Sequence, residues 1–144
     1  MFVRFVCNQP HPNPNIDAEI GMFAARDAID FSKQSRSIQR AHEEALFWFS
    51  VGGSASGVGL TYPQLKGAVR SSKIRKSLFW FREDAKFGKN AGSVVARARQ
   101  LASVMTLAGC EVREIWLSDP GEIVWGDRNQ VLALPNSGKV PRAF

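Results

Sequence analysis

The sequence lacks the features that mark membrane and secreted proteins. None of its apolar runs approaches the roughly 20 residues that a helix needs to span a bilayer, so no membrane contact is predicted. The first ten residues, MFVRFVCNQP, have no basic stretch followed by a long apolar core, which argues against a secretion signal. Together these absences predict a cytoplasmic protein.

Residues that commonly carry catalysis or bind metals are scarce. The chain has two cysteines, Cys7 and Cys110, and two histidines, His11 and His42. Without a secretion signal, the cysteines are expected to be buried, reduced thiols that could pair only if the fold brought them together. No pair of His or Cys residues has the spacing of zinc ligands, so no metal or other cofactor is predicted.

The glycine-rich segment at residues 51–60, VGGSASGVGL, fits no catalytic motif. It lacks the Gly-Lys-Ser/Thr ending of a phosphate-binding loop and the glycine spacing of a dinucleotide-binding loop. None of its serines has a glycine two residues before and two residues after it, as a nucleophile elbow requires. A flexible loop is therefore expected, with a mobile lid over a ligand site as the alternative.

Positive charge is concentrated in residues 66–99. This stretch has ten Lys or Arg residues against two acidic ones, while the whole chain carries a formal net charge of +6, so the remainder is slightly acidic. A local positive field attracts polyanions such as nucleic acids and acidic proteins. The predicted partner-binding residues are Lys66, Arg70, Lys73, Arg75, Lys76, Trp80, Arg82, Lys86 and Lys89.

Trp80 joins that set because of strand alternation. In a strand, Phe79 and Phe81 share one face and are expected in the core, which places Trp80 opposite them, exposed beside Arg82. Rings interleaved with cations are typical of grooves that bind single-stranded nucleic acid. The alternative is that the Lys and Arg residues only solubilise the flanks of a buried strand.

Hydrophobic patterning predicts an α+β fold, with a small mixed sheet, a C-terminal three-stranded meander and helices packed mainly on one face. The predicted strands are residues 1–7, 77–81, 111–117, 122–125 and 130–134, and the predicted helices are residues 17–31, 37–50, 62–70 and 94–108. The strand at 77, the helix at 94 and the strand at 111 suggest a crossover connection. A single compact domain, 1–144, is expected, with a frayed polar tail at 135–144.

The C-terminal half resembles a group of short, uncharacterised bacterial proteins. The resemblance is carried by Trp80-Phe81-Arg82, by the helix through Val95 and Leu101 to Gly109, by residues 119–125 (DPGEIVW) and by Gln130-Val131; residues 1–23 share it less closely. It covers about two-thirds of the chain, but Gly126 stands where that group usually has an acid, and the glycine loop and basic charge also differ. It implies one compact α+β domain of bacterial or mobile-element origin. No activity is assigned to the group, so none is carried over.

Two functions follow from these patterns. The first is a non-enzymatic binding protein, a regulator or inhibitor, whose basic face engages nucleic acid or an acidic protein. The alternative is a small-molecule-binding protein or an enzyme, with a pocket under the Gly/Ser loop. For that pocket the candidate residues are His42, Arg4, Asp119 and Glu122.

Overall fold

The structure, a computed structural model, describes residues 1–49, 72–87 and 92–144. The strands are β1 (Phe2–Pro10), β2 (Glu19–Gly21), β3 (Leu78–Arg82), β4 (Val112–Leu117), β5 (Glu122–Gly126) and β6 (Gln130–Leu134). The helices are α1 (Met22–Asp27), α2 (Arg36–Phe47), α3 (Ser72–Arg75) and α4 (Val94–Leu107). This confirms the predicted α+β class. The predicted loop at 51–60 and helix at 62–70 lie outside the described residues.

The strands form one open sheet in which β1 is central. Along one edge β1 pairs with β4, and along the other it pairs first with β3 and then with β2. Beyond β3 the sheet continues through β6 to β5. Every pair among the described strands is antiparallel, so the sheet is antiparallel, not mixed as predicted.

The insertion of β1 explains this difference. Strands β3 and β4 both run antiparallel to β1, so they are parallel to each other, and α4 connects them as the predicted crossover. They are not neighbours, because β1 lies between them. The three predicted C-terminal strands are all present; β5 and β6 form a hairpin, whereas β4 pairs with β1.

One face of the sheet, called here the helix face, is covered by helices, as predicted. Val3, Phe5 and Cys7 alternate along β1 and belong to a buried cluster that contains side chains of α1, α2 and α4. Helices α2 and α4 begin at Ser35 and Ser93, whose hydroxyls accept hydrogen bonds from main-chain N–H groups of the first turn. Amphipathic patterning thus accounts for this half of the core.

Among the described residues, the buried side chains of the opposite face come from strands and from segments without regular structure. These side chains are Val6, Ile16, Ala18, Leu78, Trp80, Ile115, Val131 and Ala133. Val140, Ala143 and Phe144 pack against them. We call residues 139–144 the C-terminal strap and this side of the sheet the strap face. The tail that the sequence predicts to be frayed thus contacts the sheet through these residues.

The strap is held by a buried carboxylate. Both oxygens of Glu19 accept a hydrogen bond from the main-chain N–H of Ala143, and Oε1 also accepts one from Phe144. Arg113 donates to the Ala143 carbonyl and lies over the Phe144 ring. The sequence shows no periodicity in the strap, because these contacts are made by single residues distant in the chain.

Two predicted boundaries near the N-terminus are wrong. Strand β1 continues through Pro10, which pairs with Glu19 at the strand end, where a missing N–H is tolerated. The helix expected to begin at Asp17 begins only at Met22, because Glu19–Gly21 pairs with β1 as β2. Strand pairing here overrides the helical spacing of the apolar residues.

Candidate functional site

The predicted basic face does not form one continuous site in the described chain. Lys66, Arg70 and Lys89 lie outside the described residues. Lys73, Arg75 and Lys76 precede β3, whereas Arg82 and Lys86 lie at or beyond its other end. The strand has five residues, so these two groups are about 13 Å or more apart along its direction.

Two of the predicted basic residues are already engaged within the fold. The Lys73 ammonium donates to Glu122 at 3.0 Å. Arg82 Nε donates to the main-chain oxygen of Asp127 at 2.9 Å, and its guanidinium lies over the Phe2 ring. Lys76 and Lys86 are exposed, one at each end of the strand. The charges are therefore spread around the sheet.

The prediction that Trp80 is exposed is wrong. Trp80 is 2% exposed, while Phe79 is 38% exposed. Strand β3 lies between β1 and β6, and both of its faces are covered. The alternation of side chains along it therefore does not separate solvent-exposed from buried residues. Trp80 packs in the core of the strap face and is not available for stacking on a nucleic-acid base.

A notch in the sheet opens into a cavity. Strand β3 pairs with β1 at Phe2 and Val3, and β2 pairs with it at Val6 and Pro10. Between these points Arg4 and Phe5 have no strand partner on that edge. A cavity of about 550 Å³ opens at this gap, within the size range of small-molecule sites.

The cavity takes its apolar wall from the helix face. The lining rings are Phe5, Phe23, Phe49, Phe79 and Phe81. Most of them meet edge to face, with ring centroids 4.9 Å apart for Phe23 and Phe49 and 6.2 Å apart for Phe5 and Phe81. Leu46 and Met22 complete this wall. Aromatic edges and faces of this kind favour a flat apolar molecule.

The polar wall comes from the strap face and centres on Arg4. The Arg4 side chain lines the cavity and is 6% exposed. Its Nη2 donates to the main-chain oxygen of Glu19 at 3.0 Å, but Nη1 is buried without a hydrogen-bond partner among the described residues. Burial lowers the Arg4 pKa to about 10, although the nearby Glu19 carboxylate opposes the shift. Arg4 therefore stays charged at neutral pH.

His11 and Trp80 add further polar groups to this wall. The Nδ1 atom of His11 accepts a hydrogen bond from the Asn13 main-chain N–H at 3.0 Å, which places the proton of the neutral ring on Nε2. Burial and the Arg4 charge lower the His11 pKa, which favours this neutral form. Trp80 Nε1 is buried and has no partner within the described chain. Each is an N–H donor near Arg4.

The other residues proposed for a pocket lie elsewhere. His42 stacks on Phe31, with ring centroids 3.7 Å apart, and does not line the cavity. Asp119 accepts from Gly121 and Asn136 within a turn, and Glu122 pairs with Lys73. Of the four candidates, only Arg4 belongs to the site.

Sequence reasoning missed the rings and His11 as site residues. Nothing local in the sequence marks the gap between two strands on one edge of β1. One signal was present: Arg4 is a single charge inside the apolar run FVRFV. A charge within a central strand is expected to be paired or functional.

The described part of the chain contains neither a cluster of metal-binding side chains nor a helix that could cross a membrane. Within residues 1–49, 72–87 and 92–144, no group of three or more His, Cys, Asp or Glu residues could hold a metal ion. The helices in these ranges are too short or too polar to cross a membrane.

Comparison with known proteins leaves the site to be interpreted from its own geometry. The resemblance to short bacterial proteins stays a prediction, because no family model, no curated protein and no solved structure matches the chain.

Proposed function

We propose that this protein binds a small anionic molecule with a flat apolar body in the notch between β2 and β3. The observation that carries the proposal is the buried Nη1 of Arg4, which lines a cavity and has no hydrogen-bond partner in the described chain. A carboxylate or phosphate group of the ligand would accept from Arg4, and the rings of the helix face would enclose its body.

The energetics of Arg4 favour such a ligand. A buried donor without a partner costs about 1–3 kcal/mol, and more when it is charged. An arginine presents its N–H groups in a planar fork that matches a carboxylate or phosphate in a bidentate geometry. Binding of an anion would supply the missing hydrogen bond. It would remove the free-energy cost of the unpartnered donor, and that gain would contribute to the affinity for the ligand.

The neighbouring acids do not already fill this role. Arg4 donates to the main-chain oxygen of Glu19, while the Glu19 carboxylate accepts from the strap residues Ala143 and Phe144. Asp27, which also lines the cavity, pairs with Arg26. The available charge at the polar wall is thus positive, which selects an anion over a cation.

The donor set favours binding over catalysis. In their neutral forms, His11 and Trp80 present N–H groups at Nε2 and Nε1. These nitrogens donate hydrogen bonds and cannot take up a proton. Ser77 lines the cavity, but its hydroxyl donates to the Lys73 carbonyl at 2.6 Å and has no His or carboxylate partner among the described hydrogen bonds. We therefore propose a binding protein without a covalent step.

The test uses a matched pair of probes, naphthoate and the neutral naphthamide, with naphthyl phosphate as a third. At about 100 times its Kd, a ligand stabilises the native state by about 2.7 kcal/mol, which a thermal-shift assay detects. We expect naphthoate or naphthyl phosphate to raise the Tm, and naphthamide to bind about tenfold or more weakly. The two anions distinguish a carboxylate site from a phosphate site.

Substitution of Arg4 separates the site from the rest of the surface. Arg4→Met should reduce the affinity for the anionic probe about tenfold to hundredfold, while the exposed Arg128→Met serves as the control and should bind normally. Arg4→Met also loses the hydrogen bond to the Glu19 main-chain oxygen, so thermal melting must show that the variant is folded before the affinities are compared. Equal binding of acid and amide, or an anion affinity unchanged in Arg4→Met, would contradict the proposal.

A further inference from the structure

The two cysteines meet at the end of the sheet, although they are 103 residues apart in sequence. Their Sγ atoms lie 3.3 Å apart, within hydrogen-bonding distance for thiols. Cys7 lies in β1 among the buried side chains of the helix face, and Cys110 is half-buried. The fold thus brings together two thiols whose proximity the sequence left open.

The main chain fixes both cysteines in place. In the pairing of β1 with β4, Cys7 lies opposite Val112. Cys110 precedes Val112 by only two residues, so it lies close to Cys7. Gly109, with a φ of +93°, ends α4 in a conformation that favours glycine and turns the chain toward β4. The Cys110 N–H donates to the Met105 carbonyl at 2.9 Å. The approach of the sulfurs therefore follows from ordered elements on both sides.

We propose that Cys7 and Cys110 form a reversible intramolecular disulfide by exchange with a low-molecular-weight disulfide. The thiolate of Cys110 attacks one sulfur of the small disulfide, which gives a mixed disulfide and releases one small thiolate. The Cys7 thiol then loses its proton to solvent as its sulfur attacks Cys110 Sγ and displaces the second small thiolate. Two protein thiols are oxidised, one small disulfide is reduced to two thiols, and the protons pass to solvent and the leaving groups.

The order of attack follows from exposure. Cys7 is 1% exposed, so a small disulfide cannot reach it in the folded protein. Burial, together with the hydrogen bond from Cys110, raises the Cys7 pKa to about 12, which keeps it as a thiol at neutral pH. Cys110 is therefore the entry point, and Cys7 is the resolving residue that lies within reach of the mixed disulfide.

This modification is independent of the ligand site. Neither cysteine lines the cavity, so an oxidised protein is expected to bind naphthoate as the reduced protein does. What the disulfide changes is stability, because it joins the central strand to the end of α4 across most of the chain. A long loop closed in this way removes much of the conformational freedom of the unfolded state.

The experiment treats reduced, full-length protein with increasing oxidised glutathione and then blocks free thiols by alkylation. Intact-mass spectrometry under denaturing conditions should show a monomer that has lost two hydrogens and accepts no alkylating agent. The oxidised protein should melt about 5–15 °C higher than the reduced one, and dithiothreitol should reverse the shift.

Single substitutions assign the two roles. Cys7→Ser should stop at the glutathione adduct of Cys110, whereas Cys110→Ser should leave Cys7 unmodified. Cys7 is in the core, so Cys7→Ser could fail to fold. In that case the absence of a glutathione adduct in Cys110→Ser tests whether Cys110 is the entry point. Wild-type protein whose two thiols stay open to alkylation after oxidant treatment, or which accumulates a stable glutathione adduct without ring closure, would overturn the proposal.

Discussion

In the described part of the chain, helices cover one face of the sheet, and segments without regular structure cover the other. The helix face packs long apolar side chains of α2 and α4 against β1 and β3. The strap face is closed by residues 139–144, whose apolar side chains pack on the sheet and whose main chain hydrogen-bonds to Glu19 and Arg113. One cover is therefore held by the packing of helices, and the other by a short segment that also needs specific polar contacts.

The proposed ligand site lies where the two covers meet. Its rings belong to the helix face, and its donors belong to the strap face, because the notch beside Arg4 and Phe5 opens the sheet to both. Side chains at adjacent positions of a strand point to opposite faces, so a gap in pairing brings a charge and a ring to one cavity. The contrast between the faces is thus what gives the cavity its two-sided chemistry.

The largest expected effect is a loss of folding stability on truncation of a buried leucine. It is compared between two leucines, one from each face. Leu101→Ala on α4 should cost about 4 kcal/mol, since its surroundings are packed helices that leave a fixed void. Leu78→Ala on β3 should cost about 2–3 kcal/mol, since Leu78 already borders the cavity and loses fewer contacts. Urea denaturation of both variants measures the difference. A larger loss at Leu78 would reverse the proposed contrast between the faces.

On the helix face, the apolar stripes predict α2 and α4, and both helices are present, whereas α1 begins at Met22 and not at the predicted Asp17. The strap face gave no such signal, because its cover is short and polar and its anchor, Glu19, lies more than a hundred residues away. The basic residues and the strand between them were visible in sequence, but the pairing of Lys73 with Glu122 and of Arg82 with Asp127 was not, because those partners are distant in the chain.

The next largest effect is expected from the strap anchor. Glu19→Gln removes the charge that accepts the Ala143 and Phe144 N–H groups, and should cost about 2 kcal/mol. Hydrogen–deuterium exchange should show lost protection in residues 139–144 and retained protection in α4. Asp17→Asn is the matched control, because Asp17 is 86% exposed and pairs with Arg142 at the surface. Exchange in residues 139–144 of Glu19→Gln that is unchanged from the wild type would show that Glu19 does not anchor the strap.

A smaller effect is expected from pH on ligand binding. Arg4 must be protonated to bind an anion, and its folded-state pKa is about 10, below the usual arginine value. Naphthoate affinity should therefore stay level through neutral pH and fall as the pH rises through about 10, by about tenfold per unit at most. Naphthamide binding, measured by the same titration calorimetry, should not change. A fall in naphthoate affinity centred near neutral pH would indicate another group.

The smallest effect concerns the predicted basic face, which stays a prediction. If the chain binds nucleic acid or an acidic protein, Lys76 and Lys86 should act separately, because they lie at opposite ends of β3. Lys76→Glu or Lys86→Glu should lower the salt slope of oligonucleotide binding by about one, and the double variant by about two. Fluorescence anisotropy at several salt concentrations measures these slopes. No binding at low salt would remove the polyanion hypothesis.

The central claim is that Arg4 receives the ligand's anionic group while the rings hold its body. The most direct measurement is a titration of ¹⁵N-labelled protein with naphthoate, followed by NMR of the arginine side chains. We predict that the Arg4 resonances shift with the ligand, with intermolecular contacts to Phe5 and Phe81, while those of the exposed Arg128 stay in place. Binding that shifts other arginines and leaves Arg4 unchanged would contradict the claim.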